Sequence, residues 1–135
     1  MVVNVDAELD WWSVHDVGQC EERIVSQSRA LLPAGSQDQI QGKVDELDEI
    51  LGRFGLQTSL LVIRRANSLA LYFICMTLAA LMSLRDQWRS RELRDTVQSL
   101  FTFLSGATRP VGVKRLNWMQ ADYQRCLEFF SSIQG

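Results

Sequence analysis

Arg85, Arg89, Arg91 and Arg94 crowd around Trp88 in the segment SLRDQWRSRELRD. A planar guanidinium grips phosphate oxygens and stacks on aromatic faces, so this grouping suits phosphate or base recognition. Asp86, Glu92 and Asp95 interrupt it, and neither a broader basic stripe nor an aromatic platform accompanies it; a mixed polar helix face is the simpler account. Asp45, Glu46, Asp48 and Glu49 offer carboxylates to a hard cation, but they fall outside an apolar seam and read as the solvated face of a helix. His15 is the single histidine, and a helix-surface or capping role suits it better than catalysis. With no glycine-rich phosphate loop, nucleophile elbow or metal-ligand spacing in the chain, a non-enzyme without catalytic residues, metal or cofactor is expected.

Cys20, Cys75 and Cys126 are odd in number and widely separated, which fits neither a disulfide framework nor a zinc site. Each stands on an apolar face, where a free thiol packs as a small hydrophobe. The opening MVVNVDAELDWW carries acids early and no basic region, so a reducing, cytoplasmic location is expected.

The elements that would position these groups follow from spacing. The 135 residues, 47% of them hydrophobic, suit a single domain with a core of its own. Residues 1–56 read as an acidic, mainly helical part of net charge −7, and residues 57–135 as a part of net charge +5. Met1 to Val5 is a candidate strand. Val17, Ile24 and Leu31 recur at multiples of seven, predicting a helix from about Ser13 to Leu32 that Pro33-Ala34-Gly35 ends. Ser36 and Gln39 have the form of a capping box for a second helix, whose seam is Ile40, Val44, Leu47, Leu51 and Phe54, stopped at Gly55.

At Leu60 the texture changes to LLVIRRANSLALYFIC, β-branched and aromatic on both sides of Asn67-Ser68, the signal of a hairpin. A two-residue loop would pair Ala66 with Leu69, Arg64 with Leu71, and Val62 with Phe73 on one face. The other face would pair Ile63 with Tyr72 and Leu61 with Ile74. Thr77 caps a helix carrying Leu78, Leu81 and Trp88, which continues or kinks near Arg89-Ser90 into Leu93, Val97, Leu100, Phe101 and Leu104 and closes at Gly106. After Pro110, VGVKRL is a short strand suited to an edge. Tyr123, Cys126, Leu127 and Phe130 mark a last helix. The uncharged run Leu69 to Leu84 is shorter than the ~20 residues a helix needs to cross a bilayer and changes period at Thr77, so a buried strand joined to a core helix is expected, not a membrane span.

From LLVIRRANSLALYFIC through WRSRELRDTVQSLFTFL, VGVKRL and DYQRCLEFF, the chain resembles the TRADD N-terminal domain family. There a hairpin leads into a helix with an aromatic-Arg-x-x-x-Leu-Arg pattern, then a strand, then an Arg-Cys-Leu helix. The resemblance covers about Leu60 to Phe130; Trp11-Trp12, ahead of a helix, departs from the family's aromatic first strand. It implies an α+β fold, an α-β sandwich whose small, mainly antiparallel sheet, a hairpin plus one or two strands, has helices packed on one face.

The resemblance also implies a protein-interaction module of an intracellular immune or death-signalling adaptor, docking a TRAF domain or another signalling protein on the open sheet face. Val62, Arg64, Ala66, Leu69, Leu71 and Phe73 correspond to that face, with Leu61, Ile63, Tyr72 and Ile74 turned to the helices. On this expectation Leu71 and Phe73 tolerate aspartate without unfolding. Two alternatives stand beside it: a nucleic-acid-binding module using Arg85, Trp88, Arg89, Arg91 and Arg94, and a helical oligomerisation domain in which Leu60 to Cys75 is helix. Nucleic acid is not the favoured partner, and no oligomeric state follows from the sequence.

Overall fold

The computed structural model describes residues 1–10, 16–32, 41–66 and 68–134, leaving aside the side chains of 41–45, 133 and 134. The described elements are strand β1 (Val2–Leu9), helices α1 (Val17–Leu31) and α2 (Gln41–Gly52), strands β2 (Thr58–Arg65) and β3 (Leu69–Cys75), helices α3 (Leu78–Ser90) and α4 (Glu92–Ser105), strand β4 (Val113–Asn117) and helix α5 (Gln120–Gln134). The fold is α+β, with one antiparallel sheet in the order β2-β3-β1-β4.

The N-terminal part is not only helical: β1 is an eight-residue central strand, paired with β3 on one side and β4 on the other. Its alternation is regular, with Val3, Val5, Ala7 and Leu9 buried. The alternative in which Leu60 to Cys75 is helix falls, because β2 and β3 occupy that stretch. Several punctuation signals act as expected. Thr77 Oγ1 accepts from the Ala80 amide at the start of α3, and Gly106 closes α4 at φ 67°. Asp16 caps α1, later than Ser13. The Ser36–Gln39 capping box and the first turn of its helix lie outside the described residues, as do His15 and the Trp11-Trp12 pair.

The hairpin differs from expectation in register. Arg65 pairs with Leu69, so residues 66–68 form the loop, one more than a two-residue turn; the Asn67 part of that turn lies outside the described residues. A shift of one residue exchanges the faces of a strand. Inward rows therefore run Leu60–Phe73–Val3, Ile63–Leu71–Val5 and Arg65–Leu69–Ala7–Leu116. The outward rows are Val62–Tyr72–Asn4 and Arg64–Ala70–Asp6–Asn117. A bulge at Leu61 re-phases β2, so Leu60 and Ile63 both point inward although three positions apart.

Leu69, Leu71 and Phe73 are consequently core residues, each fully buried, and not an open face. Phe73 meets Phe54 edge to face with ring centroids 4.9 Å apart. Of the four side chains expected against the helices Ile63 is buried there, and Leu61, 46% exposed, borders Ser28, Arg29 and Leu32 at the end of α1; Tyr72 and Ile74 lie outward.

Helices α1, α2, α3 and α4 close over the inward face, with Ile24, Leu47, Leu81, Leu93, Val97 and Leu100 buried in one core. An ion pair of 3.5 Å from Arg65 to Glu21 ties β2 to α1, and Gly18 makes room for it, since a Cβ there would lie 3.0 Å from an Arg65 Nη. β4 is the edge strand, as its position after Pro110 suggests. Its approach is satisfied by α4: the Val111 amide donates to Thr102 Oγ1 and the Val113 amide to Gln98 Oε1, each at 2.9 Å. Beyond the end of β4 the edge of β1 is covered by α5. Asp122 Oδ2 accepts from the Asn4 amide at 3.1 Å, and Arg125 donates to the Val2 carbonyl at 3.1 Å. Among the described residues no helix is long and apolar enough to cross a membrane.

Leu71→Asp is expected to abolish folding, because it places an unpaired carboxylate in the core, and Phe73→Ala to cost about 3–5 kcal/mol; urea denaturation followed by circular dichroism measures both. Burial pushes the Cys75 thiol from 9.0 up to about 11, with the nearby Thr58 hydroxyl acting the other way. A proton is thus held more tightly in the folded state, and stability is lost as pH rises from about 9 to about 11, by roughly 2–3 kcal/mol. Cys75→Ala removes this part of the alkaline slope, which unfolding curves across that range detect.

Candidate functional site

Three surfaces carry the chemistry of the chain. The first is the outward face of the sheet. Its rows grade from apolar to charged: Ile74 opposite Val2, then Val62, Tyr72 and Asn4, then Arg64, Ala70 and Asp6, then Glu8 opposite Arg115. Val2 is 39% exposed, Tyr72 and Val62 are half-buried, and Arg64 sits over the Tyr72 ring at 5.8 Å. Desolvation holds the Asp6 carboxyl above its usual pKa. Of the six residues expected on an open face, Val62 and Arg64 belong to this one, and Ala66 is exposed in the loop; Leu69, Leu71 and Phe73 are on the other side. Tyr72, Ile74 and Val2 were missed because one residue of register decides their direction.

The second surface surrounds the arginine cluster, and here the five expected residues separate. Arg85 is only 4% exposed. Its guanidinium lies 4.3 Å from the ring centroid of Trp88, 4.6 Å from Tyr123 and 5.1 Å from Trp118. It donates to the Trp118 carbonyl at 3.3 Å and to Gln120 Oε1 at 2.7 Å, while Nε has no partner among the described residues. Burial pulls its pKa below the usual arginine value, and Arg89 pushes the same way against Tyr123. A guanidinium remains charged through such a shift, and the aromatic faces take the place of a counter-ion. Arg85 is therefore an internal strut joining α3 to the start of α5 and not part of a basic surface. The sequence signal was present in Trp118 and Tyr123, but only the return of α5 beside α3 brings them to it.

Arg89, Arg91 and Arg94 do share a surface with Trp88. They line a cleft of about 400 Å³ at the α3–α4 elbow, whose other wall is Lys114, Arg115 and Leu116 of β4. Trp88 is held in place by its indole N–H, which donates to the Leu116 carbonyl at 3.0 Å. Lys114 and Arg115 were read only as part of a strand.

The third surface is a larger groove of about 720 Å³ between α2 and α4, with Glu46, Glu49 and Arg53 facing Asp95 and Thr102. Arg53 pairs with Glu49 at 3.5 Å. Although three carboxylates border this groove, the described residues contain no group of three His, Cys, Asp or Glu able to hold a metal ion. Asp48 and Glu49 are exposed on α2.

No protein-family model, no curated protein and no solved structure matches the chain. The class it belongs to is defined by its fold alone, an α+β domain with a four-stranded antiparallel sheet, four helices over the inward face and a fifth along the edge of β1.

Replacing Arg85 tests the strut. Arg85→Ala is expected to lower the unfolding free energy by about 2–4 kcal/mol, through lost packing, stacking and hydrogen bonds. Arg85→Met, which refills the cage with an apolar chain and buries no charge, costs less than half of that. Chemical denaturation of the two variants beside the wild type reads the difference; equal losses would mean that the stacking and hydrogen bonds of the cation, not the filled space, hold the strut.

Proposed function

We propose that this chain is a non-enzymatic protein-interaction module of an intracellular immune or death-signalling adaptor, docking a folded partner on the outward face of its sheet. The observation that carries the reading is the composition of that face. Val2, Val62, Tyr72 and Ile74 form an apolar end, and Arg64, Asp6, Glu8 and Arg115 form a charged end. An apolar centre with a charged border is the anatomy of a docking surface, and a half-buried tyrosine stacked under an arginine is a suitable anchor. The four helices over the inward face pack on this sheet through the shared core.

The likeness of the hairpin, the Trp88-Arg89-x-x-x-Leu93-Arg94 segment, here broken at Arg91 between α3 and α4, and the Arg125-Cys126-Leu127 helix to the TRADD N-terminal family supports a TRAF domain as the partner and the cytoplasm as the place. With the register in hand, the contact set changes from the one that the resemblance implied: Tyr72 and Ile74 replace Leu69, Leu71 and Phe73 beside Val62 and Arg64.

Titration of a purified TRAF domain against the chain, by calorimetry, tests this. Tyr72→Asp and Val62→Asp are each expected to weaken binding about thirtyfold, the loss of a 2 kcal/mol anchor, with the melting temperature changed little. Binding that survives both substitutions overturns the face, and a TRAF domain that does not bind at all overturns the partner.

A further inference from the structure

The charged groups that line the cleft at the α3–α4 elbow are all cations. Five cations converge on it from two segments, Arg89, Arg91 and Arg94 from the elbow and Lys114 and Arg115 from β4, and no acid lines it. The nearest compensation is Glu8, which reaches Lys114 at 3.9 Å and Arg115 at 3.5 Å with all three side chains about half exposed. Ion pairs of that kind are weak and exchange readily for a stronger anion. Arg89, Arg91 and Arg94 make no ion pair within 4.0 Å among the described residues.

The backbone at Arg91 points the same way. Arg91 is the single described non-glycine residue with positive φ, at 74°. An arginine there costs conformational energy that glycine would not, and such strain is held where the side chain's position matters. The helix end itself contributes little, because Glu92 and Asp95 stand in the first turn of α4 and Ser90 Oγ accepts from the Glu92 amide at 3.5 Å.

We infer that this cleft binds a compact, multiply phosphorylated anion, an inositol polyphosphate group either free in solution or carried as a lipid headgroup. The volume sets the size, since about 400 Å³ is the scale of one small ligand. The charge sets the chemistry: five cations around so small a space are matched by vicinal phosphates, whereas carboxylates spaced along a peptide spread their charge too widely. Nucleic acid fits less well. One face of Trp88 is occupied by Arg85 at 4.3 Å and its N–H by Leu116, and the exposed acids Asp86 and Glu92 break the basic surface before it becomes a track for a backbone. Arg115 is shared with the charged end of the sheet face, whereas Arg89, Arg91 and Arg94 lie on the helical elbow, so variants there test the cleft without touching the proposed docking residues.

The test titrates the intact chain with myo-inositol hexakisphosphate at about 50 mM and about 300 mM salt, beside Arg91→Gly and Arg94→Gln. Binding is expected to weaken at least tenfold with salt, and each substitution to weaken it about tenfold, the loss of one charge-assisted contact. Arg91→Gly separates binding from folding, because glycine accepts the positive φ: its melting temperature should be unchanged or higher while its affinity falls. Vesicles containing phosphatidylinositol bisphosphate, compared with phosphatidylcholine alone, distinguish the sources. Sedimentation lost in the same two variants assigns the headgroup, and hexakisphosphate binding without sedimentation assigns the soluble ligand. No binding of either probe at low salt, or binding that both substitutions leave unchanged, overturns the inference. A single-stranded oligonucleotide that binds more tightly than hexakisphosphate overturns it in favour of nucleic acid.

Discussion

Because side chains alternate across a strand, the pairing of Arg65 with Leu69 decides which half of the hairpin is core. With that register Leu69, Leu71, Phe73 and Cys75 turn inward together, and β1 matches them with Val3, Val5 and Ala7. These side chains are the floor on which α1 to α4 pack. The bulge at Leu61 keeps Leu60 on the same floor, so that the edge strand does not lose its hold where its phase changes. The outward rows follow as the remainder, and their gradation from Ile74 and Val2 to Glu8 and Arg115 is set by the same pairing.

The other half of the molecule is joined by side chains that do the work of backbone. β4 is only five residues long and leaves the first half of β1 without a strand on that side. Asp122 and Arg125 of α5 supply the missing acceptor and donor. Asp122 also accepts from the Trp118 indole, so one carboxylate orients both the strand edge and a wall of the Arg85 cage. The cage in turn holds α5 to α3, while Trp88 on the same helix reaches β4. A cluster of arginines that looks uniform in sequence is thereby divided by one turn of helix: Arg85 is internal, and Arg89, Arg91 and Arg94 border a cleft.

Much of the element order was legible because local chemistry dictates it. Thr77 supplies an acceptor that the first turn of α3 lacks, Gly106 takes a left-handed conformation at little cost, and the missing amide of Pro110 favours an edge for the strand after it. The elbow near Arg89-Ser90 was also legible as a possible break, though Arg91 and not Ser90 occupies the turn. The hairpin faces were not, since both carry apolar residues and neither pattern nor composition prefers one. A three-residue loop and one bulge were enough to exchange them.

By itself the sequence determined most of the element order and the presence of free, apolar-packed cysteines, because capping, chain reversal and periodicity are properties of neighbours along the chain, while the fold class came with the family resemblance. Tertiary structure alone decided which hairpin face is core, that Arg85 is buried among Trp88, Trp118 and Tyr123, and that Lys114 and Arg115 join the arginines of the elbow. Each of these depends on groups about thirty residues apart or on the phase between two strands, and no local preference encodes either.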